Sequence, residues 1–368
     1  MANKRADKVT ITEVAKRAGV STATAGRVLG GYGYTSEENK EKVRRSAEAL
    51  GYRPNLLARS LITGKTKTIG VVAGDIQSPF YASILRGIAD VARAQGFGVL
   101  LTNSDELLDR ELEAVQLLLQ KQIDGLIVAP CDTSGSQHLH AAVASGCPIV
   151  QIDRRVKGLS ADSVTLDNRG AASESIAQLL AAGHRRIGMV AELERWEFGD
   201  MESFIDRVIE GSIDPASLFP SWQRLFGYIE AHRAAGLAID RSLIGRVGTY
   251  SVKAARTAAM ELLTRADRPT ALFTADGLMS AVAMDAITTL DLQIPTDLSL
   301  ICFDDLDWMS FLKPGITAIA QPLMEMGEAA ARLILARISG QGGEEQHQVL
   351  KHTLALRGSV MEPQAKRT

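Results

Sequence analysis

Cysteine is scarce in this chain, aromatic residues are few, and long apolar runs are missing. Three cysteines (Cys131, Cys147, Cys302) in 368 residues make no even, closely spaced set. That excludes a disulfide framework and reads as buried free thiols in a reducing compartment. Six histidines are scattered, and none has a Cys or His partner at metal-ligand spacing, so no metal is expected. No Gly-x-Gly-x-x-Gly turn follows a first strand and no Walker-type loop is present, so no cofactor and no enzyme activity is expected. No 18-residue apolar run suggests a membrane span, and MANKRADKVT lacks the apolar stretch of a signal peptide. A cytoplasmic location follows as the expectation.

Charge is informative only after division. The whole chain is nearly neutral, with 41 basic against 43 acidic residues. Residues 1–64 hold 12 Lys+Arg against 6 Asp+Glu, whereas the remaining 304 hold 29 against 37. A basic head on an acidic body is the footprint of a polyanion-binding module on a soluble carrier. A solvated basic face would give the same sum.

Residues 10–31, TITEVAKRAGVSTATAGRVLGG, read as two short helices across a tight turn. Thr10 and Glu13 form a capping box, and Ile11, Val14, Ala15 and Ala18 share one apolar face. Gly19 stands just past the helix end, and Ser21 caps a second helix with Ala25, Val28 and Leu29 inward. Such a pair is a helix-turn-helix, whose second helix enters the DNA major groove. Ser36 opens a third helix ending near Gly51. Pro54 then begins a segment in which Asn55 to Leu61 could form about two turns, too short to be stable by itself.

From Thr68 the rhythm changes. Runs at 69–73, 98–102, 125–129 and 148–152 resemble buried strands separated by helical patterns, and a second series begins near 163. This alternation means βαβ units and parallel sheets, here two α/β lobes in tandem. Ligands of such sheets bind beyond the carboxyl ends of the strands, in the cleft between lobes.

The order helix-turn-helix, YRPN hinge and two lobes resembles the LacI/GalR family of bacterial transcription regulators. The resemblance covers essentially the whole chain and includes ARSLITGKTKTIGVV, DIQSPFYASILRGI, Asp153–Arg154, VTLDNRGAA, GHRRIG and PTDLSLICFDD. It implies a three-helix DNA-binding domain at 1–52 and a hinge helix with linker at 53–67. A core like that of periplasmic binding proteins follows, with 68–161 and about 293–322 in the first lobe. The second lobe is then 162–292 with about 323–362. Partners implied are double-stranded operator DNA, a second copy of the chain, and a small effector: a sugar, sugar acid or sugar phosphate. Repression is implied by resemblance only.

The family's base-reading positions fall on Thr22, Ala23 and Arg27, and phosphates would be held at Thr10, Ser21 and Thr24. Asn55, Ala58, Arg59 and Leu61 map onto the hinge helix, where the leucine wedges into the minor groove. Two departures stand out: Gly26 replaces the usual Ser, removing a phosphate-bonding hydroxyl, and Gly30 replaces the usual Asn. Ala25 stands for a commonly larger Val. Effector positions map onto Phe80, Tyr81, Asp153, Arg154, Arg224, Tyr250, Asp276 and Asp304, a set suited to a polyol. Ala275 stands where many members have Asn. Residues 192–221 are longer than usual and read equally as a lid over the cleft or an extra helix packed on the second lobe. An enzyme and a transport-system sugar receptor are the rival readings; the first lacks its motifs, and the second would need an export signal and no residues 1–61.

Overall fold

A computed structural model describes residues 9–52, 64–193, 200–248 and 250–364. The hinge positions Asn55, Ala58, Arg59 and Leu61 therefore lie outside the described residues. The chain divides into two units: one up to Thr68 together with Gln122–Asp124, the other comprising the rest.

The first unit holds α1 (Ile11–Ala18), α2 (Thr22–Gly30) and α3 (Glu37–Ala49). Thr10 and Glu13 form the expected reciprocal cap, the Glu13 carboxylate taking the Thr10 N–H at 2.6 Å. Gly19 ends α1 at φ +67, where a side chain would be strained. Ser21 accepts the Thr24 N–H at 3.1 Å and starts α2. The core is Val14, Ala15, Ala18, Ala25, Val43 and Ala47, with Val28 and Leu29 partly buried at its rim. Four of its six buried residues are alanines, so the head has little apolar area to stabilise it.

Along the second unit run β1 (Thr68–Ala73), α4 (Pro79–Ala94), β2 (Gly98–Asn103), α5 (Leu108–Gln120), β3 (Gly125–Val128), α6 (Gln137–Ala144), β4 (Ile149–Ile152) and β5 (Asp162–Leu166). Then come α7 (Asn168–Ala181), β6 (Ile187–Glu192), α8 (Met201–Glu210), α9 (Pro220–Ala234), β7 (Ile244–Val247), α10 (Val252–Leu263), β8 (Ala271–Thr274) and α11 (Gly277–Thr289). The chain finishes with β9 (Ser299–Phe303), α12 (Asp307–Phe311), β10 (Thr317–Ala320), α13 (Leu323–Ile338), β11 (His347–Leu350) and β12 (Thr353–Ala355).

Two six-stranded sheets result, ordered β11-β5-β4-β3-β1-β2 and β12-β10-β9-β8-β6-β7. Helices cover both faces, so strands such as β1, β3, β6 and β9 are buried nearly throughout and mostly apolar rather than alternating. The ladder corrects the expected lobe boundaries. β5 pairs with β4 and β11, so residues 162–166 close the first sheet. β9 and β10 pair with β8 and each other, so 293–322 belong to the second lobe. α13 returns to pack on α4, and β11 joins the first sheet, while β12 goes back to β10. An apolar run announces a strand but not which sheet will accept its hydrogen bonds.

Each lobe is clasped by a glycine-mediated helix pair. A Cβ on Gly87 of α4 would strike the Met324 carbonyl, and one on Gly327 of α13 would strike the Ile84 carbonyl. In the second lobe, Gly227 of α9 lies as close to the Arg169 carbonyl of α7. Residues 200–219 of the long segment take the extra-helix alternative: α8 buries Phe204, Ile205 and Val208, and Phe204 meets Trp222 edge-on at 4.6 Å. Among the described residues no helix is long and apolar enough to cross a membrane.

Candidate nucleic-acid interface and ligand cleft

In the head, Thr22, Ala23 and Arg27 are exposed along α2, as a helix that reads DNA requires. The other three candidate positions are already engaged at caps. Thr10 Oγ1 donates to the Glu13 carboxylate at 2.9 Å, and the Ser21 and Thr24 hydroxyls bond each other at 2.9 Å. A carboxylate beside Thr10 is unfavourable for a phosphate there. The Gly30 departure has a visible cause, since the Tyr32 ring occupies the place of any side chain at that position.

In the second unit, the predicted effector residues Asp153, Arg154, Tyr250, Asp276 and Asp304 follow strand ends, while Phe80, Tyr81 and Arg224 lie on helices. In the first lobe, Tyr81 sits in the first turn of α4, while Asp153 follows β4 with φ +68. Sequence reasoning missed Glu106, which organises this half. It follows β2, also at positive φ, and its N–H is held by the Gly74 carbonyl at 3.2 Å. Arg154 Nη1 donates to Glu106 Oε2 at 2.6 Å and Nη2 to Oε1 at 2.9 Å, a bidentate pair. Arg154 also donates to Tyr81 Oη at 3.1 Å and to Asp153 Oδ2 at 3.1 Å, and Tyr81 donates to Glu106 at 2.9 Å. Burial, reinforced by Glu106, pushes the Tyr81 phenol well above its usual range, so it stays a donor. Phe80 is half-buried and meets the Tyr81 ring edge-on at 5.0 Å.

The second lobe supplies the opposite wall. Arg224 on α9 donates to Asn168 Oδ1 at 2.9 Å and to the Ala275 carbonyl at 2.5 Å, with its guanidinium 3.8 Å from the Phe303 ring centroid. Ala275 thus contributes through its backbone. Asp276 caps α11, accepting the Met279 N–H at 2.9 Å. Asp304, again at φ +68 past a strand, accepts from the Gly277 N–H at 3.0 Å and from Gln321 Nε2 at 2.5 Å. Among the described residues, Gln321 Oε1 is buried with no hydrogen-bond partner. Glu192 is buried and accepts the Ser221 hydroxyl at 3.3 Å. Tyr250 is half-exposed, within electrostatic reach of Asp276, Asp304 and Glu106.

The two walls form one cluster. Phe219, the N-cap of α9 and the end of the long segment, lies with its ring centroid 4.2 Å from the Arg154 guanidinium. Arg224 reaches Asp153 electrostatically, and Asp276 reaches Asp304, Arg224 and Glu192. Burial, with Asp304 and Glu192 adding to it, pushes the Asp276 carboxyl up to about 6. Among the described residues the cluster has five carboxylates and two guanidiniums, so it is acidic. The thiols stand apart from this chemistry: burial pushes Cys131 up to about 12 and Cys302 to about 11.

Comparison with known proteins accords with both halves. The family described as bacterial regulatory proteins, lacI family, matches residues 10–55, and the periplasmic binding protein-like domain matches residues 176–360. Catabolite control protein A of Priestia megaterium is 30% identical over 96% of this chain and 99% of its own. The HTH-type transcriptional repressor CytR of Escherichia coli (strain K12) is 30% identical over 98% of each chain. Among solved structures, a complex of the transcriptional regulator CelR with cellobiose superposes with a TM-score of 0.67. It is 27% identical, over 95% of this chain and 99% of that one. With a capped helix-turn-helix ahead of two lobes that converge on a polar cleft, the chain belongs to the lacI family of bacterial transcription regulators.

Proposed function

We propose that the protein is a cytoplasmic, homodimeric repressor without enzyme activity, released from or fixed on a pseudo-palindromic operator by a small polyhydroxy effector. The observation that carries this reading is the convergence of side chains from the strand ends of both lobes on one cluster. Such a cleft can respond to a ligand by closing, and the closure would alter the spacing of two hinge segments. Thr22, Ala23 and Arg27 would read base edges, and backbone N–H groups at helix starts would hold phosphates. Asn55, Ala58, Arg59 and Leu61 would enter the minor groove.

The charge of the cleft narrows the effector. Arg154 is engaged with Glu106, Tyr81 and Asp153, and Arg224 with Asn168 and Ala275, so neither guanidinium stands open to an anion. Asp276, Asp304 and Glu192 are carboxylate acceptors, and among the described residues Gln321 Oε1 has no donor. An uncharged sugar with several hydroxyls suits this wall, whereas sugar acids and sugar phosphates would add negative charge to it. The dimer would use the first lobe's exposed leucines: Leu100 and Leu101 on the edge strand β2, and Leu108, Leu112 and Leu117 on α5.

Fluorescence anisotropy on palindromic DNA upstream of the gene, against scrambled DNA and across a salt series, tests the reading. Specific binding that neutral sugars change, and their 6-phosphates do not, is the expected result. Equal weak binding to both DNAs with every sugar present would overturn it.

A further inference from the structure

The glycine at position 30 of α2 is explained by one side chain, which also reaches position 26. Tyr32, two residues past the helix, turns back along it; a Cβ at Gly30 would fall on its ring, and one at Gly26 would lie 3.4 Å from its Oη. Gly31 (φ +72) and Gly33 (φ +73) supply the left-handed backbone on either side, and the Tyr32 N–H is fixed by the Arg27 carbonyl at 3.1 Å. Residues 22, 26 and 30 follow one another at i, i+4 and i+8 and form a single ridge. The phenol therefore lies on the ridge that begins with Thr22, about one turn along from it. Its ring is half-buried, and its hydroxyl makes no hydrogen bond among the described residues. The Arg27 stem passes on the other side of the same turn, against Gly33.

We propose that Tyr32 is a DNA-contacting residue whose phenolic hydroxyl donates to a backbone phosphate, restoring beside position 26 the hydroxyl that α2 itself lacks. The inference rests on α2 being the helix that enters the major groove. Gly26 and Gly30 each disfavour the helix relative to Ala. The ring needs the space at Gly30, and its packing on the helix offsets part of that loss; at Gly26 a Cβ would meet the phenol oxygen only in ordinary contact. A hydroxyl on phosphate fixes register without reading bases, and a neutral donor releases no counterion.

The test uses the full-length protein and the anisotropy assay. Tyr32→Phe keeps the ring and removes only the hydroxyl. Affinity should fall about tenfold on specific and scrambled DNA alike. The salt slope and the thermal midpoint should stay unchanged. Adding Gly26→Ser to Tyr32→Phe should recover most of the loss, because the new hydroxyl starts from the same place. Wild-type affinity in Tyr32→Phe would overturn the proposal, as would a loss confined to one base-pair position, which marks base reading instead. If Arg27→Ala and Thr22→Ala also leave affinity and base preference untouched, the assignment of α2 is itself wrong.

Discussion

Arg154 donates to Glu106 past β2, to Tyr81 in the first turn of α4 and to its own neighbour Asp153 past β4. Its role is accordingly to tie these elements together. Glu106→Gln leaves a buried guanidinium half-partnered and should lower stability by about 3 kcal/mol, read from the urea midpoint. Asp276 carries the pH dependence. Its carboxyl is raised from an ordinary value near 3.8 to about 6 in the folded chain. The folded state therefore holds this proton more tightly than the unfolded one. That stabilisation is complete below pH of about 4 and is lost as pH rises through about 6. Asp276→Asn keeps the acceptor for Met279 and removes the charge, so at pH 7.5 the variant should be more stable than the wild type, by up to about 3 kcal/mol. At pH 4 the two should melt together, and calorimetry at both pH values checks it. In the head, Arg27→Ala should relax preference at one base-pair position by about 1–3 kcal/mol in competition assays. Asp153, Arg154, Arg224, Asp276 and Asp304 were named from the sequence through the family resemblance. Glu106 was not, because it lies in a loop, NSDELL, whose positive-φ backbone and pairing with Arg154 are tertiary facts.

At the scale of elements, helix starts were readable at Thr10, Ser21 and Ser36, where a side chain caps each. Strands were readable where both faces are buried. β11 and β12 were not, since HQVL and TLA are short, partly exposed edge strands. Nor was the return of α13 to the first lobe, because its apolar face would suit either sheet. The Gly87–Gly327 contact settles that packing, since the backbones approach too closely for any side chain. Gly87→Ala should destabilise the first lobe by about 1–3 kcal/mol. Gly248→Ala, where a Cβ meets open space, should be nearly neutral in the same denaturation series. In the long segment, α8 packs on the second lobe as an added helix, and the segment's end brings Phe219 onto Arg154.

For the molecule as a whole, regulation requires three separable couplings: head to DNA, copy to copy, and cleft to hinge. Leu61→Ala should weaken specific operator binding while sparing effector affinity measured by calorimetry. Leu112→Glu, on the exposed leucine face of α5, should shift the protein toward monomer in sedimentation and lower operator affinity with it, because two heads then bind independently. The crossings between sheets bear on something else, the order in which the polypeptide leaves the ribosome. The first lobe begins at Thr68, yet its clasping helix α13 ends at Ile338 and its last strand β11 at Leu350. A nascent chain that has emerged as far as β5 has five of the six strands and lacks the helix that covers them. The amino-terminal lobe must therefore wait, incompletely covered, until nearly the whole second lobe has been synthesised. The usual vectorial order, in which the earlier domain folds first, is closed to it.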